Sequence, residues 1–325
     1  MMFRWMVMAP MLAASATLAG NTGNFPQPSS SAPVTEEAVP DLLQLERDRF
    51  ERLTIPVTIE GKGPYRFMVD TGSQATVVSR SVSEQLQLPP LGKATLVAMG
   101  SRRQVDMVQL NGLEFAGRLF DNLEAPLLEG YNLGADGILG LDSLQDMRVL
   151  IDFKEDRMLV ADAGSLGGNR GYEIVVKARR RLGQMIITDA RIDGIKTAVI
   201  IDTGAQNTVA NLALKNKLRA KGDVVVQSTD VNGVKVYGNL GYARKMSIGG
   251  LEMSGIPLTF SESPAFAALD LERKPALIMG MRNLQNFERI AIDFSTGQIL
   301  FDVPSGAYNV RAYQRQFFPS RIGGG

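Results

Sequence analysis

The sequence predicts a mainly β protein built from two copies of one plan, and three observations point there. An apolar run closed by Asp-Thr-Gly occurs twice, as Phe67-Met68-Val69-Asp70-Thr71-Gly72-Ser73 and as Val199-Ile200-Ile201-Asp202-Thr203-Gly204-Ala205. At average residue usage such a tripeptide is expected only about 0.1 times in a chain of this length. The surrounding elements recur in the same order at slowly drifting offsets. Asp202 follows Asp70 by 132 residues, Gly250 follows Gly112 by 138 and Gly280 follows Gly140 by 140. Changes in loop length within one shared fold produce such a drift. Short apolar or alternating runs bounded by Gly, Pro, Asn and Asp dominate the rest, which is strand patterning.

Composition sets limits before any motif is used. With 325 residues and 45% hydrophobic content, the chain can bury a large core and has the length of about two domains. Lys+Arg 35 against Asp+Glu 34 leaves +1, and no basic stripe is visible, so no nucleic-acid partner is expected. The chain has neither Cys nor His. That removes disulfides, thiol nucleophiles, Ser-His-Asp catalysis and imidazole or thiolate metal sites. Hydrolytic chemistry would therefore run on carboxylates, lysine or hydroxyls, with no metal and no cofactor. The 15 methionines are read as core filler.

In chain order, residues 1–20 read as a signal peptide. Met1–Arg4 is positive, Trp5–Ala19 is apolar and rich in small residues, and cleavage is expected after Ala16 or Ala19. The rival, an uncleaved membrane anchor, needs about 20 apolar residues and the run falls short. Export without cysteine points to a bacterial periplasm, with no stable membrane span once the signal is removed. Residues 21–45, rich in Pro, Ser and Asn, read as a disordered tether. A first lobe is expected over 46–163, a Gly-rich linker over 164–172, a second lobe over 173–306 and a fraying tail over 307–325.

Within the first lobe, Phe50–Ile59 and Tyr65–Val69 form a hairpin that delivers Asp70, and Thr76–Ser79 returns as a strand. A Ser81–Glu84 capping box is expected to open a helix through Leu86. Thr95–Leu110 forms a hairpin with Met99, Gly100, Ser101, Arg102 and Arg103 at its tip, and Leu113–Phe120 forms one further strand. Ile138-Leu139-Gly140 precedes a helix capped at Ser143, and Val149–Phe153 and Met158–Val160 close the lobe. In the second lobe Asn211 caps the helix Leu212–Leu218, and a hairpin spans Val224–Met246 with its turn at Asn232-Gly233. Ile278-Met279-Gly280 precedes a helix capped at Asn283.

A strand core is a poor place for a lone carboxylate, whose desolvation costs several kcal/mol. Two such carboxylates compensate one another if they share a proton. The apparent pKa values then split and belong to the pair. The ionised member can act as general base on water while the protonated one polarises a carbonyl. Ser73 is expected to donate to the Asp70 carboxylate where Ala205 offers Asp202 nothing, which would make Asp70 the ionised partner.

The motifs Asp70-Thr71-Gly72-Ser73, Asp202-Thr203-Gly204-Ala205, Ile138-Leu139-Gly140 and Ile278-Met279-Gly280 resemble those of the aspartic protease superfamily. The likeness is to retropepsin-like bacterial members with both lobes in one chain, and covers roughly Phe50 to Val303. The resemblance implies a bilobal pepsin/retropepsin-like acid protease fold, two pseudo-two-fold-related β-barrel lobes with a cleft between them. It implies an aspartic endopeptidase, monomeric, acting on an extended polypeptide, with Asp70 and Asp202 catalytic. Thr71 and Thr203 would interlock beneath them, Gly72, Ser73, Gly204 and Ala205 would support the loops, and both apolar-apolar-Gly segments would be structural. The hairpin tip Met99–Arg103 falls where that family has a flap, and Arg102 and Arg103 are weighed as a preference for acidic substrates against a solvated tip. The rival reading of function is a catalytically inert peptide-binding protein on the same fold. Asp136, Asp152 and Asp293 read as ordinary turn and surface hairpin residues.

Overall fold

The computed structural model describes residues 4–6, 42–44, 46–47, 53–220 and 224–304. Most of the expected signal peptide and tether, and the whole tail 307–325, lie outside the described residues. In those segments only the strands Arg4–Met6 and Leu42–Gln44 are described.

Each lobe is organised around the strand that carries its motif. In the first lobe Leu53–Ile59 and Lys62–Val69 form the expected hairpin. The short strand Gly137–Leu139 lies parallel to Lys62–Val69 and antiparallel to Val77–Ser79. The second lobe repeats this plan: Ala276–Met279 lies parallel to Ile195–Ile201 and antiparallel to Val209–Ala210. Ile138 pairs with Met68 and Ile278 with Ile200, each two residues before the motif aspartate. All four are buried, which is why both segments read as unbroken apolar runs rather than alternating ones.

A third, six-stranded sheet joins the lobes. Its order is Ile174–Lys177, Gln298–Asp302, Arg289–Asp293, Arg148–Asp152, Arg157–Ala161, Leu42–Gln44. The central pair runs antiparallel, with Arg148 opposite Asp293 and Asp152 opposite Arg289. The surface reading of Asp152 and Asp293 is therefore corrected: both are buried. Asp293 bonds the buried Arg148 guanidinium at 2.7 Å and caps the following turn through Ser295 and Thr296. Asp152 pairs with Arg157 at 3.3 Å. Hairpin spacing in sequence does not show that another lobe's strand covers the residue. Arg148 also donates to the Gly168 carbonyl and the Asn169 side chain, which ties the glycine-rich connection to the sheet. One apolar cluster, from Ile55 through Ile151 and Ile290 to Phe301, runs through both lobes.

Several local expectations shift. The first-lobe helix is Arg80–Leu86 and its cap is Ser79, whose Oγ accepts from Val82 N–H, so the capping box starts two residues too late. Ala116 and Gly117, both with positive φ, break the single strand expected over Leu113–Phe120 into two. The helices after the apolar-apolar-Gly segments begin at Leu141 and Met281, with Gly140 and Gly280 at the cap position. Glycine is required at both, because a side chain at Gly280 would stand 2.6 Å from the Ala205 carbonyl and one at Gly140 would strike Ala75. Asn211 caps Leu212–Leu218 as expected, accepting from Leu214 N–H at 2.9 Å.

Candidate active site

The two motif loops meet at the floor between the lobes. Asp70 N–H donates to the Leu139 carbonyl and Asp202 N–H to the Met279 carbonyl, so each apolar-apolar-Gly strand fixes the base of a motif. Leu141 N–H and Met281 N–H then hold the Ser73 and Ala205 carbonyls from behind. Thr71 and Thr203 interlock reciprocally. Each hydroxyl donates across to the opposite strand, Thr71 to the Ile201 carbonyl at 2.9 Å and Thr203 to the Val69 carbonyl at 2.7 Å. Each hydroxyl oxygen also accepts the other threonine's N–H. Four buried hydrogen bonds thus fix one loop against the other, each contributing about 1 kcal/mol.

Both carboxyls are fully buried. Oδ1 of Asp70 accepts from Gly72 N–H at 2.8 Å and Ser73 N–H at 3.1 Å, and Oδ1 of Asp202 accepts from Gly204 N–H at 2.9 Å and Ala205 N–H at 3.0 Å. Burial, then the charge of Asp70 beside it, push Asp202 well above the usual carboxylate range. The carboxylates also pack on the facing glycines, since a Cβ on Gly72 would lie 2.5 Å from Asp202 Cγ.

The expected bond from the Ser73 hydroxyl is not formed. Ser73 Oγ donates to the Ala75 carbonyl at 2.7 Å, and only its N–H reaches Asp70. Ala205 supplies the same N–H to Asp202, so this position does not distinguish the two acids. A further contact to the first motif loop comes from Gln184, which the sequence reading missed. Its buried Nε2 reaches across from the second lobe to the Gly72 carbonyl. A lone glutamine at the start of a strand carries no sequence signal for such a role.

The tip of the hairpin Pro90–Val97/Arg102–Leu110 meets that of the second-lobe hairpin Val224–Thr229/Lys235–Ile248. Asp230 Oδ2 accepts from Gly100 N–H at 3.2 Å and from Ser101 Oγ at 2.6 Å, while its Oδ1 holds its own turn through Asn232 and Val234. Arg103 donates to the Asn232 carbonyl at 3.0 Å, so its guanidinium is engaged between the tips, and Arg102 is exposed. The tips also exchange apolar residues. Met99 packs with Ile200, Ala205 and Ile278 of the second lobe, and Val231 with Met68, Val77 and Ile138 of the first. The shared offset of about 130 residues between Ser101 and Asp230–Asn232 was the available signal for this pairing. Asp136 lies in a bend, as expected, and accepts from Arg66 N–H.

Two interlocked Asp-Thr-Gly loops between like β lobes define the acid protease class. The aspartyl protease family model matches the chain twice, over residues 55–143 and 188–282, once per lobe. The chain belongs to that family. Among curated proteins no relative matches. Similar solved structures include basic 7S globulin from soybean, at 9% identity and TM-score 0.44, covering 80% of this chain and 94% of that one. A retropepsin-like aspartic protease from Rickettsia conorii is 21% identical with TM-score 0.30, covering 40% of this chain and 89% of that one. Among the described residues no helix is long and apolar enough to cross a membrane.

Proposed function

We propose that the protein is an aspartic endopeptidase that hydrolyses peptide bonds of an extended polypeptide with a water activated by Asp70 and Asp202. The observation that carries this reading is the pair of fully buried carboxyls on two interlocked loops, each held by two N–H donors of its own loop. In the resting pair one proton is shared and resides on Asp202, whose pKa burial and the neighbouring charge raise. Asp70 removes a proton from water as that water attacks the scissile carbonyl carbon, and the Asp202 proton passes to the carbonyl oxygen. When the resulting tetrahedral diol collapses, the C–N bond breaks, the proton on Asp70 goes to the leaving amine and a diol proton returns to Asp202. The interlocked threonines keep both carboxyls in register, as such chemistry requires.

The test is cleavage of a casein-type substrate and its block by a pepstatin-type inhibitor. Asp70→Asn and Asp202→Asn should each abolish turnover. Full turnover by either variant would refute the mechanism, and peptide capture without cleavage by the unaltered protein would favour the inert peptide-binding reading. We further propose that the chain acts as a monomer after export to a bacterial periplasm. Light scattering and N-terminal sequencing for a start after Ala16 or Ala19 test these points.

A further inference from the structure

The second lobe contains a cavity of about 630 Å³ that begins beside the catalytic floor. Ala205, whose N–H holds Asp202, lines one end together with Met99 of the first hairpin tip. Its lining continues along the second hairpin and the adjoining strand Leu251–Phe260, with Val226, Val236, Leu240 and Ile256. A volume of this size takes more than one side chain of a peptide. The strand Val224–Thr229, which contributes Val226 to Thr229 to the cavity lining, is the outermost of the eight-stranded sheet, and among the described residues one row of its backbone groups has no strand partner.

The polar chemistry of this cavity is one-sided. Among the described residues Arg282 is the only charged one lining it, and no Asp or Glu does. Arg282 is exposed and makes no ion pair among the described residues. The corresponding position of the first lobe, one residue after the helix start, holds Asp142, which is consumed by Thr76 N–H and hydroxyl. The two lobes therefore share a scaffold but offer a substrate different chemistry.

We propose that this cavity is the specificity site of the protease. It takes a bulky apolar side chain such as Leu or Phe next to Ala205, with an Asp or Glu of the same extended peptide reaching Arg282. The peptide backbone adds to the free edge of Val224–Thr229. The inference rests on the endopeptidase reading and assigns its substrate class.

The experiment uses the full chain and synthetic peptides that share one central Leu-Phe bond and carry Asp, Asn or Lys at each flanking position in turn. kcat/KM should be highest with Asp at one defined position and lower there with Lys by about tenfold. Arg282→Glu should reverse that order at the same position, and Val226→Trp should remove the preference for Phe over Ala at the apolar position. Binding of the same peptides, dye-labelled, to Asp202→Asn by fluorescence anisotropy reads the cavity without turnover and should give the same ranking. Cleavage with an Asp-to-Lys ratio that Arg282→Glu leaves within about twofold would overturn the inference and leave the endopeptidase reading standing. Ranked binding without cleavage by the unaltered protein would do the reverse.

Discussion

The buried pair between Arg148 and Asp293 makes a quantitative prediction about acid stability. Burial alone would raise the Asp293 pKa. The Ser295 hydroxyl, the Arg148 guanidinium and the Thr296 N–H outweigh it and lower the pKa from 3.8 to about 2. The folded value lies below the unfolded one, so this group's contribution is fully present above pH 3.8 and is lost as the pH falls through about 2. A shift of that size corresponds to roughly 2 kcal/mol. Asp293→Asn keeps the shape, leaves the Arg148 cation buried without its counter-charge, and should cost about 3–5 kcal/mol at neutral pH. The assay is urea unfolding of both proteins at pH 7 and again at pH 2. The stability gap should narrow by about 2 kcal/mol at the lower pH, because at pH 2 the unfolded chain has taken up this proton and folding no longer gains from the ionised form. A gap that stays constant across the range would refute the reasoning, since it would mean that Asp293 acts through packing and not through its charge.

Four other outcomes are expected. Gly72→Ala should abolish turnover with little change in circular dichroism, because the added methyl would occupy space 2.5 Å from Asp202 Cγ. Gln184→Leu removes the donor from the Gly72 carbonyl and should lower kcat at least about tenfold, with KM moving less. Burial raises the Asp142 pKa, against the hydrogen bonds from Thr76, so its ionised form is disfavoured in the fold. Asp142→Asn should therefore raise the thermal midpoint at pH 7, with the gain vanishing at acid pH where Asp142 is already protonated. Asp230→Ala deletes two charge-assisted bonds between the hairpin tips, worth together about 3 kcal/mol, and should speed limited proteolysis near Met99–Arg103.

Much of the candidate site was legible because it is local and repeated. Val69-Asp70-Thr71-Gly72 and Ile201-Asp202-Thr203-Gly204 each combine strand, carboxylate, hydroxyl and turn within a few residues, and duplication lifts the pattern above chance. The apolar-apolar-Gly segments were legible for the same reason. What stayed hidden lies in contacts between distant chain segments. Asp293 reads as a hairpin residue until the partner lobe's Arg148 is opposite it. Ser73 has a hydroxyl that is free to choose, and the Ala75 carbonyl wins it by being closer along the chain. Gln184 reaches a carbonyl 112 residues away, which no local pattern encodes. The caps expected at Ser143 and Asn283 fall three residues earlier because Gly140 and Gly280 are fixed by close backbone approach, not by a side-chain cap.

The seam where Arg148–Asp152 lies against Arg289–Asp293 has a consequence for the halves taken singly. A fragment ending at residue 163 would display Arg148–Asp152 as a raw, ungated template, with Arg148 stripped of its carboxylate mate. Such a piece could satisfy its edge only by docking onto another chain, its own twin included. Severing the connection is therefore expected to yield self-association, and mixing the two pieces to suppress it.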